Sequence, residues 1–173
     1  MAKYVIRPDQ LMAISNGQAN INVINGFSEF LNENGEKYRI TSSFEEATQF
    51  LGQTALESNG FKTLVENLNY SAKRLVAVWP KRYPTIAAAS PYANNPQKLA
   101  NHTYGGRLGN TGSNDGWLYR GRGIKQVTGR ANYRDFTAWM RTITPGCPDF
   151  EKTPDLLAET PWCFWSAVWY WYT

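Results

Sequence analysis

Residues 55–71 read ALESNGFKTLVENLNYS, and the rest of the chain is arranged around their two glutamates. Glu57 and Glu66 stand nine positions apart, with a helix-stop pair, Asn59-Gly60, between them. The residues leading to Glu57 repeat at helical spacing, and those around Glu66 form a short apolar segment beyond the turn. A chain that leaves a helix and doubles back can set two carboxylates on opposite walls of one cleft. That arrangement suits acid–base cleavage of a glycosidic bond. The plainer alternative is a pair of surface glutamates, because most glutamates lie in water.

Upstream of Glu57, the pattern predicts a helix from about residue 42, with Ser42 and Glu45 as a capping box. Phe44, Ala47, Phe50, Leu51, Thr54 and Ala55 form its inward stripe. Glu57 lies three beyond Thr54 and seven beyond Phe50, which places it on that stripe at the C-terminal end. Partial desolvation and the negative end of the helix dipole both disfavour an ionised carboxylate there, so its pKa is expected to rise. A general acid working near neutral pH needs such a rise. Glu66 is followed by Asn67 and Asn69, so a wetter site and an ionised carboxylate are expected. Two carboxyls in contrasting surroundings are the signature of an acid and a base. Two earlier helices are expected over 8–15 and 20–34, the second carrying Ile21, Ile24, Phe27, Phe30 and Leu31 and closed by Gly35.

Downstream, Ser71 caps a helix to about Trp79, with Leu75, Val76 and Trp79 inward, and Pro80 stops it. Residues 80–91 read as irregular despite the alanines at 87–89, and Asn95-Pro96 opens a helix to about His102. Residues 104–129, YGGRLGNTGSNDGWLYRGRGIKQVTG, read as a glycine-rich loop with a β-hairpin over 117–127. The glycines lack the spacing of a phosphate-binding loop. Arg120, Arg122 and Lys125 are too few for a nucleic-acid patch, so no nucleic-acid partner is expected. A helix follows over 129–143 with Tyr133, Phe136 and Met140 on one side, then a short one over 154–158. Thr160-Pro161 reads as the cap and first-turn proline of a last helix over 162–172. That helix carries four of the seven tryptophans and is apolar nearly all round, as in a helix buried on every side. Nothing follows Thr173 to cover one face: either further elements are dispensable, or a second chain or a dimer covers it, or the chain is a partial domain.

The 173 residues fit one mainly α-helical domain over 1–173. Hydrophobic residues at 42% and charged residues at 18% exclude a disordered chain. Aromatics at 14% serve a core or provide platforms for flat ligands such as sugar rings. A net charge of +4 favours an anionic polymer as partner. Cys147 and Cys163 make no disulfide framework, and with the lone His102 they make no zinc pattern, so no metal or cofactor is expected. Reduced thiols are expected, with one bridge if the protein reaches an oxidising compartment. Residues 1–7 contain no secretory h-region, and no run approaches a membrane span.

Four motifs in order, Leu56-Glu-Ser-Asn-Gly-Phe61, Glu66-Asn-Leu-Asn-Tyr-Ser-Ala72, Tyr119-Arg-Gly-Arg-Gly-x-x-Gln-x-Thr-Gly129 and Asn132-Tyr133, carry a resemblance. From about residue 10 onward the chain resembles the glycoside hydrolase family 19 lysozyme and chitinase group, especially its bacteriophage endolysins. The resemblance implies a lysozyme-like helical fold with a small β-hairpin beside the active-site cleft, and cleavage of β-1,4-linked N-acetylated amino sugars by inversion. It makes Glu57 the acid and Glu66 the base, with Thr128 holding the attacking water. It makes Tyr70, Tyr119, Gln126 and Asn132 substrate-binding positions; for the last three the plainer alternatives are a hairpin aromatic and side chains bonded to loop backbone. The implied partner is the glycan of bacterial peptidoglycan, with residence in the host cytoplasm until release to the wall (the periplasm in a Gram-negative host) and no stable membrane insertion. Chitin as substrate, or wall binding without catalysis, are the alternatives. Leu56 stands where relatives often carry histidine, and relatives usually continue past the tryptophan-rich helix with further cleft-lining elements.

Overall fold

A computed structural model describes residues 3–173. Among the described residues nine α-helices follow in order: α1 (Pro8–Ile14), α2 (Ile21–Asn34), α3 (Phe44–Glu57), α4 (Ala72–Val78), α5 (Ile86–Ala89), α6 (Pro96–Tyr104), α7 (Asp115–Leu118), α8 (Arg130–Ile143) and α9 (Trp162–Tyr172). Short 3-10 turns cover Ser90–Tyr92 and Pro154–Ala158. The starts of several of these helices follow from capping chemistry. Asn20, Ser71 and Asn95 accept hydrogen bonds from the backbone N–H groups of Asn22, Arg74 and Lys98. On α3 the cap is Ser43, one residue later than the spacing predicts; its hydroxyl accepts from Glu46 N at 3.1 Å. The alanine run at 87–89 is also a correction. Thr85 Oγ1 accepts from Ala88 N at 3.2 Å, so the run forms a helical turn instead of an irregular loop. Thr160 caps nothing; α9 starts at Trp162 with Pro161 at the cap position and no side-chain cap bond.

Helix α9 lies at the centre of the larger apolar cluster. Phe164 packs on Phe27 and Phe30 of α2 at ring distances of 5.2 and 5.5 Å, and Trp165 meets Phe30 edge-on at 4.9 Å. Trp171 meets Phe50 of α3, and Trp169 meets Phe136 of α8. The all-round apolar character of α9 is thus matched by cover from this same chain: residues 163–168 are buried, and Tyr170 and Tyr172 alone among its large hydrophobic residues are exposed. A second cluster joins Leu68, Leu75 of α4, Tyr83, Ala89 of α5 and Leu99 and Ala100 of α6, with Tyr70, Trp79, Tyr104 and Trp117 packed against it. The backbone crosses from the first cluster at Leu64 to the second at Leu68, and Glu66 stands at the crossing.

The expected hairpin over 117–127 is not formed as strands. Trp117 belongs to α7, and pairing is limited to two isolated antiparallel bridges, Val65 with Arg122 and Arg122 with Val127. Gly123 at φ +73° and Gln126 at φ +56° curl residues 123–126 into a turn too tight to extend a ladder. Cys147 and Cys163 are both free and buried, and burial pushes the Cys163 thiol up to about 12. Among the described residues no helix is long and apolar enough to cross a membrane.

Candidate active site

Glu57 is the last residue of α3 and is not on its buried stripe. That stripe runs through Ala47, Phe50, Leu51 and Thr54 to Ser58, which is completely buried and donates its hydroxyl to Thr54 O at 2.7 Å. Position 58 continues the spacing of four from 54, so Glu57 is turned about a hundred degrees away from the core. Its side chain keeps 35% of its exposure, where the spacing predicted desolvation. Phe44, also placed on the stripe, is 58% exposed. The partner of Glu57 comes from a distant part of the chain: the buried ammonium of Lys125 donates to Glu57 Oε1 at 2.9 Å. Gln53 Nε2 donates to the same oxygen at 3.4 Å. Both donors fall on Oε1.

Glu66 is fixed by its own backbone. Its N–H donates to Gly121 O at 2.9 Å, and Gly123 N donates to Leu64 O at 2.9 Å, so the Glu66 segment is stitched to the 121–123 turn. The carboxylate then accepts from the Tyr104 hydroxyl at 2.6 Å and from Gly121 N at 3.3 Å. Burial, and next the Glu66 charge, push the Tyr104 phenol far above its ordinary value, so it stays an O–H donor. Gly121 marks a close approach. A Cβ there would lie 2.9 Å from Gln126 Oε1, 3.2 Å from Glu66 Cβ and 3.3 Å from Thr128 Oγ1. An added methyl group would crowd all three groups.

The 121–128 turn is held from both sides. Ile124 N donates to Cys163 O and Lys125 N to the Ser166 hydroxyl, both on α9. Lys125 Nζ also lies 3.7 Å from the centre of the Tyr170 ring. Arg122, 1% exposed, donates to Leu118 O, Tyr133 Oη and Asp155. Arg122 and Lys125 are therefore internal fasteners, and the three basic residues of this motif form no basic surface. Thr128 donates its hydroxyl to Gln126 O at 2.9 Å, and Asn132 Nδ2 donates to Thr128 O at 2.8 Å. Gln126 Nε2 donates to Thr63 O and Gly123 O. Lys125, Gln126, Thr128, Asn132 and Tyr170 line one concavity of about 370 Å³.

Of the positions expected from sequence, Glu66, Gln126, Thr128 and Asn132 gather around this turn, and Glu57 joins them through Lys125. Tyr119 is a correction: it is 6% exposed, packs on Tyr133 and donates its hydroxyl to Glu151 O, so it belongs to the core and not to the cleft wall. Tyr70 is half-buried and lies apart from the concavity, against Trp79 at 5.3 Å. Sequence reasoning missed Lys125 and Tyr104. A lysine set between Ile124 and Val127 of an otherwise buried motif was the available signal for the first; nothing local marks the second. Among the described residues no group of three or more His, Cys, Asp or Glu side chains is placed to hold a metal ion.

No family model matches the chain. The chain is similar to a glycosyl hydrolase family 19 domain-containing protein of Haemophilus influenzae, with 38% identity over 151 residues, covering 86% of this chain and 71% of the relative. An identity of that size over most of both chains, with two carboxylates bordering one tight glycine turn, leads to one conclusion: the chain belongs to glycoside hydrolase family 19.

Proposed function

We propose that this glycoside hydrolase acts as an endolysin-type lysozyme, cutting β-1,4 bonds of bacterial peptidoglycan by inversion. The observation that carries the reading is the setting of Glu66, whose carboxylate accepts from Tyr104 and Gly121 beside Thr128 Oγ1 and Gln126 Oε1. Thr128 gives its hydrogen to Gln126 O, so its oxygen is left as an acceptor. A water there donates one hydrogen to Thr128 and presents the other to Glu66, the general base. Glu57, bonded to Lys125 of the same turn, is the acid that delivers a proton to the leaving oxygen while water attacks the opposite face of the sugar. Gln126 and Asn132 border the concavity where the sugar would lie. The net charge of +4 favours approach to an anionic wall.

The test is reducing-sugar release from purified peptidoglycan, with mass spectrometry of the new reducing ends. Glu57→Gln and Glu66→Gln are each expected to keep the wild-type circular dichroism spectrum and to lose about a hundredfold or more of turnover. Variants that release sugar at the wild-type rate would remove these residues from the mechanism. Faster cleavage of chitin oligomers than of peptidoglycan would make chitin the substrate. Peptidoglycan binding without release of reducing sugar would make the chain a wall-binding module.

A further inference from the structure

A second concavity, of about 550 Å³, opens on the other side of Tyr104, between the end of α4 and the end of α6. Val78, Trp79 and Pro80 supply its apolar wall, and Lys81 and Arg82 stand on its rim. Trp79 is half-buried and braced by Tyr70, so its ring is held as a fixed platform. The apolar face of a pyranose stacks on such a ring. Lys81 and Arg82 are exposed, and among the described residues neither takes part in an ion pair. Arg82 and Tyr104 line the same concavity. Tyr104 in turn donates to Glu66. Tyr104 therefore borders the concavity and also bonds the candidate base, and the charged side chains on the concavity are of one sign.

We propose that the concavity formed by Trp79, Pro80, Arg82 and Tyr104 is a saccharide subsite contiguous with Glu66, and that Lys81 and Arg82 take a carboxylate carried by the bound glycan. The occupant is a peptidoglycan fragment, whose alternate sugars bear acidic substituents, and not a neutral polymer of N-acetylglucosamine. The shape separates the two tasks. Trp79 offers a surface that any pyranose can cover, whereas two cations with no anion of their own reward a ligand that brings one. This specificity role rests on the peptidoglycan reading above, and binding tests it separately from turnover.

The experiment uses the full chain carrying Glu57→Gln, so that ligand is not consumed. Calorimetric titrations compare a muropeptide bearing its free carboxylates with a neutral N-acetylglucosamine oligomer of the same sugar length. The acidic ligand is expected to bind more tightly, and Lys81→Gln with Arg82→Gln to reduce that preference about tenfold. Trp79→Ala is expected to weaken both ligands. An unchanged preference in the double variant, or no preference to begin with, overturns the subsite. If the unmutated chain hydrolyses neither polymer but the preference and its loss are observed, the lysozyme reading fails and the subsite stands.

Discussion

Tyr104 donates a short hydrogen bond to Glu66 from a ring that burial keeps protonated. Removing that hydroxyl in Tyr104→Phe takes away one of the two donors that aim the carboxylate. The expected result is about a tenfold loss of kcat, with a stability loss of about 1 kcal/mol or somewhat more read from urea unfolding. Asp115 supplies a pH prediction. Burial alone would raise its carboxyl, but the N–H groups of Gly112 and Thr111, with Arg130 beside them, outweigh burial and hold it below its ordinary value. A carboxyl depressed in the fold contributes stability above its unfolded pKa, and the contribution is lost as the pH falls through the folded value. Stability is thus expected to decline below about pH 4, and Asp115→Asn to flatten the decline; urea midpoints between pH 3 and pH 6 would show it. At this scale the motifs single out Glu57 and Glu66, but the surroundings of the two side chains were not legible. The stripe passes through Ser58, one residue from where the spacing put it, and the ammonium on Glu57 comes from 68 positions away. Local spacing carries no information about such a partner.

The helices were the most legible elements where a start has a named chemical cause. Ser43, Ser71 and Asn95 satisfy free N–H groups, and Pro8 and Pro96 sit in first turns where a missing donor costs nothing. Replacing Ser43 with alanine should lower stability by about 1 kcal/mol, read from urea unfolding. The 121–128 turn was less legible, since its shape depends on neighbours that bond to it from α9 and from the Glu66 segment. Gly123 makes the dependence plain. At φ +73°, an added Cβ would strike the Ser166 hydroxyl and lie 2.8 Å from Leu157 Cδ2. Gly123→Ala is expected to cost about 2–4 kcal/mol, combining left-handed backbone strain with overpacking. Because the same turn carries Gln126 and Thr128, activity should fall further than a matched loss of stability at a remote helix, such as Ser43→Ala, would produce.

Across the whole molecule, two apolar clusters meet along the Glu66 segment, so the proposed base stands between them. The larger one depends on Phe27, fully buried against Phe50, Phe61 and Phe164, and Phe27→Ala should remove about 3–5 kcal/mol. The cover that sequence sought for the tryptophan-rich helix outside the chain is found largely within it, because an apolar pattern names what must be buried without naming what does the burying. The central place of α9 has a further consequence for manufacture on the ribosome. The rings of Phe27, Phe30 and Phe50 are translated long before Phe164, Trp165 and Trp171, which close over them. At ordinary elongation rates that interval is roughly 5 to 30 s. For that time the nascent chain displays an open aromatic face, an invitation to chaperones and a hazard on a crowded polysome. Stalled chains released before Trp162 should accordingly be digested by protease at concentrations that leave the finished protein intact.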